Sequence, residues 1–140
     1  MITKFDIVNK YLGIPYVHQG RELNGLDCYG LIARIYEDLG YELFDIEGYD
    51  KNWSFEKRNH LLVNYHRQWI RCKEPRMLFD AVLFKGTKNP VNHGGVMIDD
   101  THFIHCCKQG TIVSRITEPK WEIRIESFYH LKERDIHDTN

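Results

Sequence analysis

The stretch from Asp27 to Gly40 constrains this chain more than any other. Its apolar residues Leu31, Ile32, Ile35, Tyr36 and Leu39 recur at steps of three and four, with Arg34, Glu37 and Asp38 on the opposite side. That period belongs to an amphipathic α-helix lying on a core. Asp27 stands at the N-cap position and Gly40 where a left-handed residue closes a helix. The helix is therefore expected over 28–39, with Cys28 in its first turn.

Around it the pattern is less regular. Thr3 to Leu12 puts Phe5, Val8, Tyr11 and Leu12 on one stripe before Gly13 and Pro15, predicting a short leading helix. Tyr41 to Asp50 reads as irregular loop, and Ser54 to Gln68 as a moderately amphipathic helix closed by Trp69. After Pro75 the texture changes to short β-rich runs, Ala81 to Phe84, Gly95 to Ile98, His102 to Cys106 and Thr111 to Ile116, divided by Gly, Asn, Asp and Lys clusters. They predict an antiparallel meander. Trp121 to Ile125 alternates once more, and the charged end from Lys132 is expected to fray. Helices first and sheet second give an α+β domain, one unit over 1–140 because no repeat, low-complexity tract or proline-rich linker divides it.

Charge excludes some roles. Lys plus Arg total 19 against 20 for Asp plus Glu, so no global field draws the chain to nucleic acid or an anionic membrane. No apolar run has the length of a membrane span. Met1 to Leu12 is interrupted by Lys4, Asp6 and Lys10 and lacks the pattern of a signal peptide. The expectation is cytoplasmic synthesis, with Cys28, Cys72, Cys106 and Cys107 as thiols rather than disulfides.

One of those thiols has a special address. Amides and the positive dipole end at a helix start favour a thiolate, and only Cys28 has that location. A nucleophilic cysteine also needs a base, itself oriented by a third group. If Asp99, Asp100 and Thr101 form a three-residue turn, Ile98 pairs with His102, Gly95 faces His105, and His93 and His105 share a face as diagonal neighbours roughly 7 Å apart. Glycine at 95 leaves room for the His105 ring. A two-residue turn would instead bring Cys106 beside His93. A lone helix-start cysteine is usually a buried small hydrophobe, and a lone strand histidine is usually structural; their combination is what points to catalysis.

The motifs resemble those of the NlpC-type cell-wall cysteine peptidases, a circularly permuted papain-like family. The matching pieces are Gly13-Ile14-Pro15-Tyr16, Gly25-Leu26-Asp27-Cys28-Tyr29-Gly30-Leu31, Phe79-Asp80-Ala81-Val82-Leu83-Phe84, His93-Gly94-Gly95-Val96-Met97-Ile98 and Phe103-Ile104-His105-Cys106. The resemblance implies Cys28 as nucleophile, His93 as general base and His105 as its orienting partner. It implies further that Tyr16, with Asp27 and Tyr29, lines the substrate and oxyanion side. The implied reaction is hydrolysis of a peptidoglycan stem-peptide amide through a thioester, without metal or cofactor. The aromatic Tyr29 after the nucleophile and the 40–75 insert resemble the phage tail-assembly branch, with virion or tail proteins as partners. Three rivals remain: a zinc site built from Cys28, His93, His105 and Cys106 or Cys107, a non-catalytic tail-assembly module, and a cytosolic amidase or acyltransferase on the same scaffold.

Overall fold

The computed structural model describes residues 1–43, 68–86 and 91–138. Helix α1 spans Lys4–Tyr11 and opens on a capping box: the Asp6 amide donates to the Thr3 hydroxyl and the Thr3 amide donates to the Asp6 carboxylate. Gly13, at φ 86°, turns the chain out of it. The buried side of α1 is Ile7 and Tyr11, whereas Phe5 and Leu12 are exposed, so the predicted stripe is rotated. The apolar residues Phe5, Ile7, Val8 and Tyr11 span about half of this eight-residue helix, and docking seats the Ile7–Tyr11 edge of that face in the core while Phe5 stays in solvent.

A small hairpin, β1 (Arg21–Glu22) with β2 (Gly25–Leu26), leads into helix α2, Cys28–Asp38. Here the expectations hold. Asp27 caps the helix by accepting from the Gly30 amide at 2.7 Å, and Gly40 takes φ 97° just beyond its end. Leu31, Ile32 and Ile35 are fully buried, each contributing about 1.5–3 kcal/mol of apolar burial.

The main sheet contains β3 (Trp69–Cys72), β4 (Ala81–Lys85), β5 (Val91–Met97), β6 (His102–Cys107), β7 (Gly110–Arg115) and β8 (Ile125–Leu131). Its pairings are antiparallel and its order is β3-β8-β4-β5-β6-β7. A short helix α3 (Pro119–Glu122) precedes β8, and α4 (Lys132–Asp138) follows it. The architecture is α+β, with α1 and α2 on one face of the sheet. Ala81 and Leu83 point into the core under α2, while Val82 and Phe84 point into a second core with Met97, Phe103, Trp121 and Phe128.

Two expectations are corrected, and a third falls mostly outside the described residues. Trp69 opens β3 directly after the helical Gln68, so a strand begins where the predicted helix was to stop, and the rest of the segment predicted helical over Ser54 to Gln68 lies outside the described residues. Trp121 belongs to α3, and the last strand is a return strand inserted between β3 and β4. The charged end is helical because its polar groups find partners. Arg134 is buried and donates to the Leu78 carbonyl at 2.8 Å, and Asp135 lies 2.6 Å from Nε2 of His130. Nδ1 of that buried imidazole lies 2.9 Å from Asp80, so the histidine is clamped between two carboxylates.

Candidate active site

The β5–β6 hairpin adopts the three-residue turn. Val96 pairs with Ile104 and Met97 with Phe103, and the Ile98 amide donates to the His102 carbonyl at 2.9 Å. Asp99 holds the turn by accepting from the amides of Thr101 and His102. Continuing that register sets Gly95 opposite His105. A Cβ on Gly95 would stand 3.1 Å from the His105 Cβ and 2.8 Å from the Ile104 carbonyl oxygen, so glycine is what lets the two strands approach.

On the shared face, His93 Nε2 lies 2.7 Å from His105 Nδ1, and His105 Nε2 lies 2.9 Å from the Ser114 hydroxyl on β7. A base needs a bare ring nitrogen. Leaving Nδ1 of His93 unprotonated assigns Nε2–H of His93 as donor to His105, and Nε2–H of His105 as donor to Ser114. Burial depresses both imidazoles. His93 is lowered further by His105 and Arg124, and His105, helped by Lys120, falls to about 4. Both rings are neutral at pH 7, as this relay requires.

Cys28 enters from the other side of the sheet. It is 7% exposed at the start of α2, and the amides of Gly94 and Tyr29 reach its sulfur and favour the anion. The named β5–β6 pairs begin at Val96, so Gly94 and His93 lie beyond that ladder. Burial and the Asp27 carboxylate outweigh the two amides and push the thiol up. The helix start therefore does not by itself give a thiolate, and the resting pair is neutral thiol and neutral imidazole. Among the described residues the sulfur makes no hydrogen bond to His93, which is common before substrate closes a site.

The loop beside the nucleophile is tightly built. Tyr16 bridges to Leu26, two residues before Cys28. Burial and the fields of Cys28, Asp27 and Cys106 raise its hydroxyl to about 12, keeping it a proton donor. The Asp27 carboxylate accepts from the amides of Gly30 and Gln19 and from Arg21 at 3.0 Å. Tyr29 is buried, and the Arg21 guanidinium sits 5.4 Å above its ring. Gly30 explains one motif letter: a Cβ there would lie 2.0 Å from the Gly20 carbonyl oxygen.

The NlpC/P60 family profile matches residues 13–129, a span containing Tyr16, Cys28, His93 and His105. The chain belongs to the NlpC/P60 family. Members of this family are generally cysteine peptidases or amidases. Among solved structures, the NlpC/P60 fold recurs in a Staphylococcus aureus NLP/P60 protein described as similar to a lipoprotein. That pair has a TM-score of 0.68 and 20% identity, covering 92% of this chain and 40% of the other. A Bacillus cereus NlpC/P60 family protein aligns with a TM-score of 0.64 and 18% identity over 93% of this chain and 40% of its own length. The NlpC/p60 domain of the peptidoglycan hydrolase SagA aligns with a TM-score of 0.58 and 16% identity, over 93% of this chain and all of that one. The chain thus spans about two-fifths of the first two proteins. No functionally curated protein matches it by sequence.

Several site features of this NlpC/P60 domain were not anticipated. Ser114, Arg21 and Trp121 all touch candidate residues, yet none belongs to a motif quoted above. Ser114 could have been found by extending the hairpin: with His105 opposite Ile112, residue 114 is its diagonal neighbour on the same face. Of the two cysteines offered for a zinc site, Cys106 follows His105 on β6 and so faces the opposite side, where its thiol donates to the Leu26 carbonyl of β2 at 3.1 Å. Among the described residues no three His, Cys, Asp or Glu converge on a possible metal position. Among the same residues no helix is long and apolar enough to cross a membrane.

Proposed function

We propose that this NlpC/P60 domain is a cysteine hydrolase of peptide amide bonds in peptidoglycan, with Cys28, His93 and His105 as nucleophile, base and orienting residue. The observation that carries the reading is the His93–His105–Ser114 relay, whose first link is 2.7 Å, together with a cysteine at a capped helix start whose sulfur is reached by the amide of Gly94, the residue after His93. Its proton order leaves Nδ1 of His93 to accept the Cys28 proton as sulfur attacks the carbonyl carbon. The Cys28 amide and the positive end of α2 stabilise the oxyanion. His93 then protonates the leaving amine, the acyl group stays on sulfur as a thioester, and His93 activates the water that hydrolyses it. Tyr16, held neutral, would serve as a further donor to the same oxygen.

The peptidoglycan assignment is supported by family membership and by the likeness to a domain taken from a peptidoglycan hydrolase. The carboxylate next to the nucleophile already serves Gly30, Gln19 and Arg21. The site therefore favours an amide within a peptide over one beside a free ammonium group. Association with a phage or prophage tail rests on Tyr29 and the 40–75 insert alone.

Purified peptidoglycan incubated with wild type and with Cys28→Ala, followed by mass analysis of soluble fragments, tests the reading. Muropeptides released by wild type and absent with the variant are expected. Equal release by both proteins, or none from walls of differing cross-bridge chemistry, overturns it.

A further inference from the structure

Trp121 has an unusual position for a core residue. It is 9% exposed, and its indole Nε1–H is buried with no hydrogen-bond partner among the described residues. A phenylalanine or leucine would fill such a place without stranding an N–H. The indole plane lies against His93, with centroids 5.4 Å apart and planes 24° apart, and it meets His105 edge-on at 4.8 Å. Phe84 and Phe103 close the box from the strands, 5.9 Å from His93 and 4.4 Å from His105 respectively.

We propose that Trp121 is a positioning residue that fixes the ring plane of His93 and keeps water off the His93–His105 hydrogen bond. The inference rests on the reading of His93 as base, and it goes beyond it by locating what preserves the productive tautomer. A wide flat face does this and a branched aliphatic one does not, because the ring it supports must not rotate. The surroundings are consistent with that role. Among the described residues, the groups facing the pair are Phe84 from β4, Phe103 from β6, Ser114 from β7, Lys120 from α3 and Arg124 just beyond it. None of these is an acid that would draw a proton onto the pair. Arg124 lies 5.3 Å over the indole and is itself held by the Lys85 carbonyl at 2.8 Å and Asn92 at 3.3 Å.

The test uses the full chain with Trp121→Phe, Trp121→Leu and Trp121→Ala. Imidazole N–H protons of His93 and His105 are followed by NMR for exchange with water, and the pH dependence of Cys28 alkylation by iodoacetamide is read by mass spectrometry. Trp121→Phe should keep both slowly exchanging protons. Trp121→Leu and Trp121→Ala should speed exchange of the His93 proton and lower Cys28 alkylation at pH 7, each by about tenfold or more. Should the alanine variant fail to fold, phenylalanine against leucine makes the same comparison. A folded leucine variant with wild-type exchange and a wild-type pH profile overturns the proposal and leaves Trp121 as packing. If instead wild-type Cys28 reacts no faster than the other cysteines, the catalytic reading fails, while the exchange measurement still decides whether Trp121 shields the pair.

Discussion

Gly95→Ala tests the closeness of β5 and β6 on which the histidine pair depends. Gly95 does not lie in the positive-φ region, so alanine meets no backbone penalty, and a stiffer unfolded chain would stabilise by about 0.4–1 kcal/mol. Against this, the new methyl would lie 2.8 Å from the Ile104 carbonyl oxygen, 3.0 Å from a Phe103 ring carbon and 3.1 Å from the His105 Cβ. The first contact is with backbone and cannot be relieved by a rotamer change, so β6 must retreat by about half an ångström. Overpacking of this kind costs about 1–3 kcal/mol, which exceeds the entropic gain. The midpoint of thermal unfolding should therefore fall, by roughly 3–12 °C for the full overpacking cost. The same retreat stretches the 2.7 Å His93–His105 contact to the outer limit of a hydrogen bond. Calorimetry reads the first effect and the imidazole N–H resonances read the second. A variant as stable as wild type with unchanged resonances would refute the reasoning.

Acid should unfold the protein in part through the histidines. His105 is neutral when folded down to about pH 4, whereas the unfolded chain binds its proton near the ordinary value of 6.5. Its contribution is complete above pH 6.5 and is lost as pH falls toward 4, by about 3 kcal/mol, with His93 acting in the same direction. Urea titrations at pH 7 and pH 4.5 should show this, with a smaller difference in His105→Gln. Asp27→Ala removes the cap of α2 and the acceptor for Gln19 and Arg21, and should cost about 1–3 kcal/mol in urea unfolding. Asp27→Asn should recover most of that by keeping the cap. Ser114→Ala leaves the buried Nε2–H of His105 without its acceptor and should destabilise by about 1–3 kcal/mol while slowing Cys28 alkylation; unchanged values in both would remove Ser114 from the relay.

The parts of this fold legible in the sequence are those set by local chemistry. Asp27, Gly40 and a 3.6-residue period define α2 between them. The Asp99-Asp100-Thr101 turn, once chosen over its two-residue alternative, places His93, Gly95 and His105 without further information. The parts not legible depend on distant partners. Strand β8 pairs with β3 and β4 across a long stretch of chain, and nothing in its own pattern states which edge it joins. Helix α4 reads as a charged tail until Arg134 and Asp135 meet Leu78 and His130. Trp121 sits in a four-residue helix started by Pro119, too short to show a period. The Cys28 thiol illustrates a further limit: helix position is visible in a sequence, but the burial and the Asp27 charge that oppose the thiolate are tertiary.

Residue-resolved alkylation of the four cysteines near neutral pH is the most direct measurement of the account. Cys28 and Cys106 are buried, while Cys72 and Cys107 are partly exposed, so accessibility alone ranks Cys72 and Cys107 first. Cys28 is expected to reverse that ranking and react fastest of the four because His93 takes its proton, and His93→Gln should abolish that advantage. Cys72 or Cys107 leading in wild type, or a Cys28 rate indifferent to His93→Gln, would contradict the assignment of nucleophile and base.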